Sequence, residues 1–120
     1  TCALPIFDYR AEEAGKQEFH REKYDYLVTR AVADMSVLAE LALPLLRIGG
    51  MALFYKGPRG IEEVERAQKA IEICGGKVQE KWDYELPGGE QRSLFAIEKV
   101  SFTPSQYPRS AGKPAKRPIL

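Results

Sequence analysis

At 120 residues, with 44% hydrophobic and 29% charged side chains, the chain has room for one domain with one modest core and not for a second. Two cysteines without a CxxC partner and a single histidine exclude a disulfide framework and leave too few ligands for a zinc site, so no metal is expected. The net charge of +1 conceals an asymmetry: residues 1–100 carry 17 acidic and 14 basic side chains, while the last twenty carry Arg109, Lys113, Lys116 and Arg117 against no acid.

The opening string TCALPIF is similar to a sequencing-library adapter translated in frame, and residues 1–7 are expected to be a non-native leader. They lack the basic region and apolar core of a signal peptide, and with two reduced thiols the protein is expected in the cytoplasm. RAEEAGKQEFHREK reads as a polar, charged helical turn or loop, in which Glu12 and Glu13 are either acid–base groups or a solvated face. In YDYLVTRA, the run Tyr26, Leu27, Val28 and Thr29 predicts a strand over 25–29. Asp34 is a candidate N-cap for a helix through Met35, Leu38, Leu41, Ala42, Leu45 and Leu46, which Pro44 should kink or end early. The apolar stretch LAELALPLLRI within it is too short to cross a membrane and contains Glu40.

Gly49-Gly50 closes that segment, MALFYK predicts a strand over 51–56, and GPRG is a loop. From Ile61, apolar residues at Val64, Ala67, Ile71 and Cys74 keep a helical period, with Glu62 and Glu63 placed to suit the helix dipole. Gly75-Gly76 supplies a left-handed stop. KVQEKWDYEL alternates Val78, Glu80, Trp82, Tyr84 and Leu86, PGGEQ turns, and RSLFAIEKV returns, predicting an antiparallel hairpin of strands 77–86 and 92–99. The closing TPSQYPRSAGKPAKRPIL has four prolines and no spacing for a helix or a strand. It reads as an extended, semi-rigid segment suited to lying along a polyanion, or as a tail that packs on the body or keeps it soluble.

Strand, helix, strand, helix, strand, strand is the order of an α/β protein with parallel pairing, helices packed on the sheet and a terminal antiparallel hairpin. No G-x-G-x-x-G occurs. Ligands of such sheets bind beyond the carboxyl ends of the strands. There, Arg30 follows the first strand and Lys56 ends the second, with Gly57 and Pro58 shaping the next turn. The two basic groups either hold a carboxylate or phosphate in one crevice or are rim residues paired with nearby acids. Tyr9, Tyr24, Tyr26, Trp82 and Tyr84 either stack on bases or line the core or a sheet face.

Taken in order, YRAEEAG, YDYLVTRAVA, LALPLLRIGG, FYKGP, LPGGEQRSLFAIEK and the YPR…GKPAKRP ending resemble the bacterial 16S ribosomal RNA guanine-N7 methyltransferases, the RsmG family formerly called glucose-inhibited division protein B. The resemblance runs from about Asp8 to Leu120 and covers the carboxyl-terminal half of that family. It implies a partial Rossmann-like methyltransferase sheet over 8–100, its last strand inserted between the second and third, followed by a basic Pro-rich tail over 101–120. It also implies S-adenosylmethionine as donor and a guanine of 16S rRNA in the small ribosomal subunit as acceptor; from the residue inventory, neither a metal nor a membrane is expected as partner. By the same resemblance Ala11, Glu12 and Arg30 contact the donor and Lys56 is the candidate catalytic residue; the charge of the tail makes Arg109, Lys113, Lys116 and Arg117 candidates for rRNA phosphates. The family's glycine-rich donor loop is missing from this chain. A non-catalytic RNA-binding fragment and a methyltransferase of another small substrate are the rival readings.

Overall fold

The computed structural model describes residues 11–30 and 33–120; the leader at 1–7 lies outside the described residues. In chain order the elements are α1 (Ala11–Ala14), β1 (Tyr24–Thr29), α2 (Met35–Ala42), β2 (Leu46–Lys56), α3 (Gly60–Ile73), β3 (Gly76–Glu85), β4 (Gln91–Lys99) and α4 (Lys113–Lys116). The α/β architecture follows the order read from the pattern. The sheet runs β1-β2-β4-β3, with β1 parallel to β2 and β4 antiparallel to both of its neighbours. The last strand is thus inserted between the second and third, as the resemblance implied.

Pro44 ends α2 at Ala42 and turns the chain through a 3-10 step at Leu43–Leu45. The next strand then begins earlier than the apolar run MALFYK indicated: β2 starts at Leu46 and passes straight through Gly49-Gly50. Here the glycines do not stop a segment. A Cβ on Gly50 would stand 3.0 Å from the carbonyl oxygens of Tyr24 and Asp25, so a bare backbone lets β1 approach β2 at its irregular start.

Helices α2 and α3 pack together over one face of the sheet. Met35, Leu38, Ala67 and Ile71 meet Phe54, Phe95 and Ile97 in a single buried cluster. Along β2 the alternation is strict: Ala52, Phe54 and Lys56 are buried toward the helices, and Met51, Leu53 and Tyr55 are half-buried on the opposite face. Strand β3 departs from the expected simple alternation. Its register slips between Val78 and Glu80, so Val78 joins the core while Trp82 and Tyr84 fall opposite Leu94 and Arg92. A one-residue slip transfers every later side chain to the other face. That face carries Tyr26, Val28 and Trp82, which are 73%, 57% and 45% exposed.

The tail folds back on the body instead of extending from it. Pro108 and Pro114 are fully buried, and Tyr107 and Ile119 pack against the core cluster. Two charged groups, Glu40 and Arg21, hold it, and a third, Lys99, braces the body beneath. Glu40 of α2, fully buried, accepts from the Arg109 backbone N–H at 2.8 Å and from its guanidinium at 2.7 Å. Arg21 donates to the carbonyls of Gly15, Thr103, Pro104 and Tyr107, stitching the end of α1 to the tail. Buried Lys99 donates to the carbonyls of Leu43 and Leu46 and pairs with Glu22 at 3.1 Å. Burial pulls the Lys99 ammonium below its usual range, and Glu22 opposes that pull.

Two outcomes follow from this packing. The exposed apolar face predicts that the 120-residue chain by itself self-associates in sedimentation velocity and binds a hydrophobic dye; a single monomeric boundary with no dye signal would contradict it. Arg109→Ala strands the buried Glu40 carboxylate and should lower unfolding free energy by about 3–5 kcal/mol, whereas Lys113→Ala and Lys116→Ala, at exposed positions, should shift it by under about 0.5 kcal/mol. Burial, followed by the Glu40 charge, pushes the Cys74 thiol up to about 12. Arg109 lowers that value, so its loss alone would leave less thiolate; in a Cys2→Ser background, faster modification of the Arg109→Ala variant than of the parent is expected only through exposure of Cys74 as the tail loosens. Equal rates would show that the tail does not guard Cys74.

Candidate functional site

The carboxyl ends of β1 and β2, the start of β4 and the end of β3 converge on a crevice of about 480 Å³. Its wall includes Arg30, Tyr55, Lys56, Glu63, Tyr84 and Arg92. Because Thr29 pairs with Phe54, the parallel register brings the next residues, Arg30 and Tyr55, alongside each other. The Arg30 guanidinium carbon lies 4.9 Å from the centre of the Tyr55 ring, a cation–π contact that fixes the charge at the strand end. Across the sheet Tyr84 pairs with Arg92, adding a second aromatic face and a second guanidinium. The crevice therefore presents two arginines and two tyrosine rings around the place where a doubly wound sheet binds its ligand. The combination suits an anionic nucleotide: guanidinium forks for carboxylate or phosphate, ring faces for a base.

Lys56 reaches this wall from the helix side, and its ammonium is already engaged. Its side chain is 4% exposed, and Nζ donates to the Ala33 carbonyl at 2.6 Å and pairs with Glu63 at 3.0 Å. As a candidate catalytic group it is better described as a buried strut. Glu63 also accepts from the Met35 backbone N–H at 3.2 Å. Outside this clasp, Asp34 receives the Ser36 hydroxyl at 2.8 Å and Arg66 of α3 at 3.0 Å. Burial works against ionisation of Asp34, but these two partners outweigh it and hold its carboxyl below the usual range.

The remaining sequence candidates fall elsewhere. Ala11 and Glu12 lie in α1 and do not line the crevice that holds Arg30. Glu12 is buried and accepts from the Gly112 backbone N–H at 2.8 Å. Arg109 is committed to Glu40 and to the Arg117 carbonyl, which corrects the expectation of four cations held out along a stiff tail. Lys113, Lys116 and Arg117 are exposed. Sequence reasoning passed over Tyr55 and Arg92. The hairpin offered a signal for Arg92, since it stands just past the turn at the crevice end of β4, but assigning its face required the β3 slip.

A crevice beyond the carboxyl ends of the strands is where open α/β sheets bind their ligands, and that class of fold is the one this chain has. The comparisons narrow the class: the rRNA small subunit methyltransferase G family matches residues 3–93, and the chain belongs to that family. It is 49% identical over 111 residues to the ribosomal RNA small subunit methyltransferase G of Alkaliphilus metalliredigens, covering 92% of this chain and 46% of the relative. The proteins of the same name from Pelotomaculum thermopropionicum and Listeria monocytogenes are 50% and 47% identical, again over 92% of this chain and 46% and 47% of theirs. The chain thus spans about half the length of the curated relatives it matches.

The difference between buried and exposed pairs gives a stability test of this wall. Lys56→Met leaves the Glu63 carboxylate without its buried partner and should lower unfolding free energy by about 3–5 kcal/mol. Arg47→Met removes a pair with Asp25 in which both side chains are more than half exposed, and chemical denaturation should register a change below about 1 kcal/mol. Equal losses would contradict the assignment of Lys56 as a buried strut.

Proposed function

We propose that this chain is part of an enzyme that methylates N7 of a guanine in 16S rRNA, acting in the cytoplasm on the small ribosomal subunit or its RNA. The observation that carries the reading is the crevice itself, with Arg30, Tyr55, Tyr84 and Arg92 gathered at the strand ends and, among the described residues, no carboxylate on its wall except one already paired. When bound, S-adenosylmethionine supplies a methyl group on a positively charged sulfur. Arg30 binds the donor's carboxylate; the family resemblance also assigns Ala11 and Glu12 to its adenosine part, but Glu12 is buried on the Gly112 amide and neither residue lines this crevice. Tyr55 and Tyr84 offer ring faces to a guanine drawn from a single-stranded segment, and Arg92 binds an adjoining phosphate.

A base is not needed in this chemistry. Guanine N7 holds its lone pair in the plane of the ring and has no proton to lose before it attacks a methyl carbon. A crevice whose one lining carboxylate among the described residues is occupied by Lys56 and the Met35 amide suits that requirement. The contribution of this chain is then orientation, which is worth about 7–11 kcal/mol in favourable cases. Lys113, Lys116 and Arg117 lie on rRNA phosphates; Arg109 serves the fold through Glu40.

In a protein of the relatives' full length that ends in this chain, Arg30→Ala should raise the donor KM about tenfold or more and leave the RNA KM unchanged, because it removes a charge-assisted hydrogen bond. Arg92→Ala should show the opposite split. Both variants affecting only the RNA KM would sink the donor role of Arg30. Replacing Lys113, Lys116 and Arg117 with glutamine should reduce the slope of log RNA affinity against log salt by about 0.7 to 0.9 per lost contact. A wild-type slope means that the tail does not touch the phosphate backbone. RNA binding without methyl transfer in the parent protein would favour the non-catalytic rival, and transfer to a small molecule but not RNA the other.

A further inference from the structure

Glu63 lines the crevice, yet the proposed methyl transfer gives its carboxylate no chemical task. Its placement is nonetheless set from three sides. It projects from the first turn of α3, and its side chain is 19% exposed. Oε1 accepts from the Met35 backbone N–H and pairs with Lys56 Nζ, which donates in turn to the Ala33 carbonyl. Met35 is the first residue of α2, and the N-cap Asp34 gives its side chain to Ser36 and Arg66 and makes no cap hydrogen bond. The orphan amide at the start of α2 is thus satisfied from a different helix. One carboxylate fastens the chain just beyond Arg30 at two points, Ala33 through Lys56 and Met35 directly. The other side of Arg30 is fixed by β1 and by the Tyr55 ring.

We infer that Glu63 is a positioning residue for Arg30: through Lys56 and the Met35 amide it anchors Ala33 and the first residue of α2, close in sequence to Arg30, so that the guanidinium meets the donor from a fixed base. The inference rests on the reading of Arg30 as a donor-binding group. It assigns Glu63 no contact with substrate and no proton transfer. A group that merely stabilises the fold would lower the melting temperature without changing how tightly the folded protein holds the donor.

The test is a double-mutant cycle on S-adenosylmethionine affinity, by calorimetry, in a protein of the relatives' full length that ends in this chain. Glu63→Gln should weaken binding about tenfold and Arg30→Ala about tenfold or more. The double variant should bind within about twofold of Arg30→Ala, because without the guanidinium Glu63 has nothing left to place. Losses that multiply in the double variant overturn the inference, as does wild-type affinity in Glu63→Gln. If Glu63→Gln melts below the assay temperature, Glu63→Asp, which keeps the charge on a shorter arm, takes its place, with a loss of about threefold that again vanishes in the Arg30→Ala background. Wild-type affinity in Arg30→Ala itself would overturn the donor reading of the crevice and the inference with it. Failure of the inference alone is recognised by an Arg30→Ala loss that Glu63 does not share.

Discussion

Strand β2 is paired on both edges, parallel to β1 and antiparallel to β4, and its two-residue alternation governs the site. Register with β1 sets Tyr55 beside Arg30, and register with β4 sets Lys56 opposite Ser93. The same alternation sends Tyr55 to one face and Lys56 to the other. Two adjacent residues therefore do different work at one strand end: Tyr55 holds the Arg30 charge at the crevice, and Lys56 ties that end to the helices. A slip of one residue in β2 would exchange these roles and bury a tyrosine hydroxyl against α3. The hydrophobic demand of Ala52 and Phe54, both fully buried, keeps the slip from occurring.

Buried charge is the second organising device. Glu40, Lys56 and Lys99 sit inside a small domain, and among the described residues no buried side-chain nitrogen or oxygen lacks a hydrogen-bond partner. Each of the three joins segments distant in sequence: α2 to the tail, β2 to the α2 entry, β4 to the turn before β2. Such pairs add little net stability over an apolar core but are costly to break from one side, so they favour one arrangement over its competitors. Glu22 shows the same logic locally. It holds a left-handed φ of 54° while its carboxylate receives both Lys99 and the Thr103 amide. The strain of that backbone is held in place by its contacts.

The order of elements was legible from periodicity, and so was the hairpin, because buried strands and amphipathic helices have different repeat lengths. Arg30 and Lys56 were legible as strand-end groups, since residues that follow a parallel strand have few other places to go. Sheet order came from resemblance, because local pattern does not record which strand lies between which. The long β2 was missed: Gly49-Gly50 looks like a stop unless the close approach of β1 at Tyr24 and Asp25 is known. The faces of Trp82 and Tyr84 were hidden by the slip after Val78, a feature with no residue signature in KVQEKWDYEL. The tail misled through its composition. Four cations and four prolines read as an extended polycation, and only the fold shows that Glu40 waits inside for Arg109. Glu63 was read as a favourable charge at a helix start, and its clasp on Met35 could not be anticipated across 28 residues.

Methyl transfer to a guanine N7 in small-subunit RNA is the work we propose for this crevice. The most direct measurement incubates small-subunit RNA with S-adenosylmethionine labelled in its methyl group and a protein of the relatives' full length that ends in this chain. The RNA is then digested to nucleosides, and the labelled product is identified by chromatography and mass. Label is expected in 7-methylguanosine. Label in a different nucleoside, or RNA left unlabelled while the protein binds both donor and RNA, would contradict it.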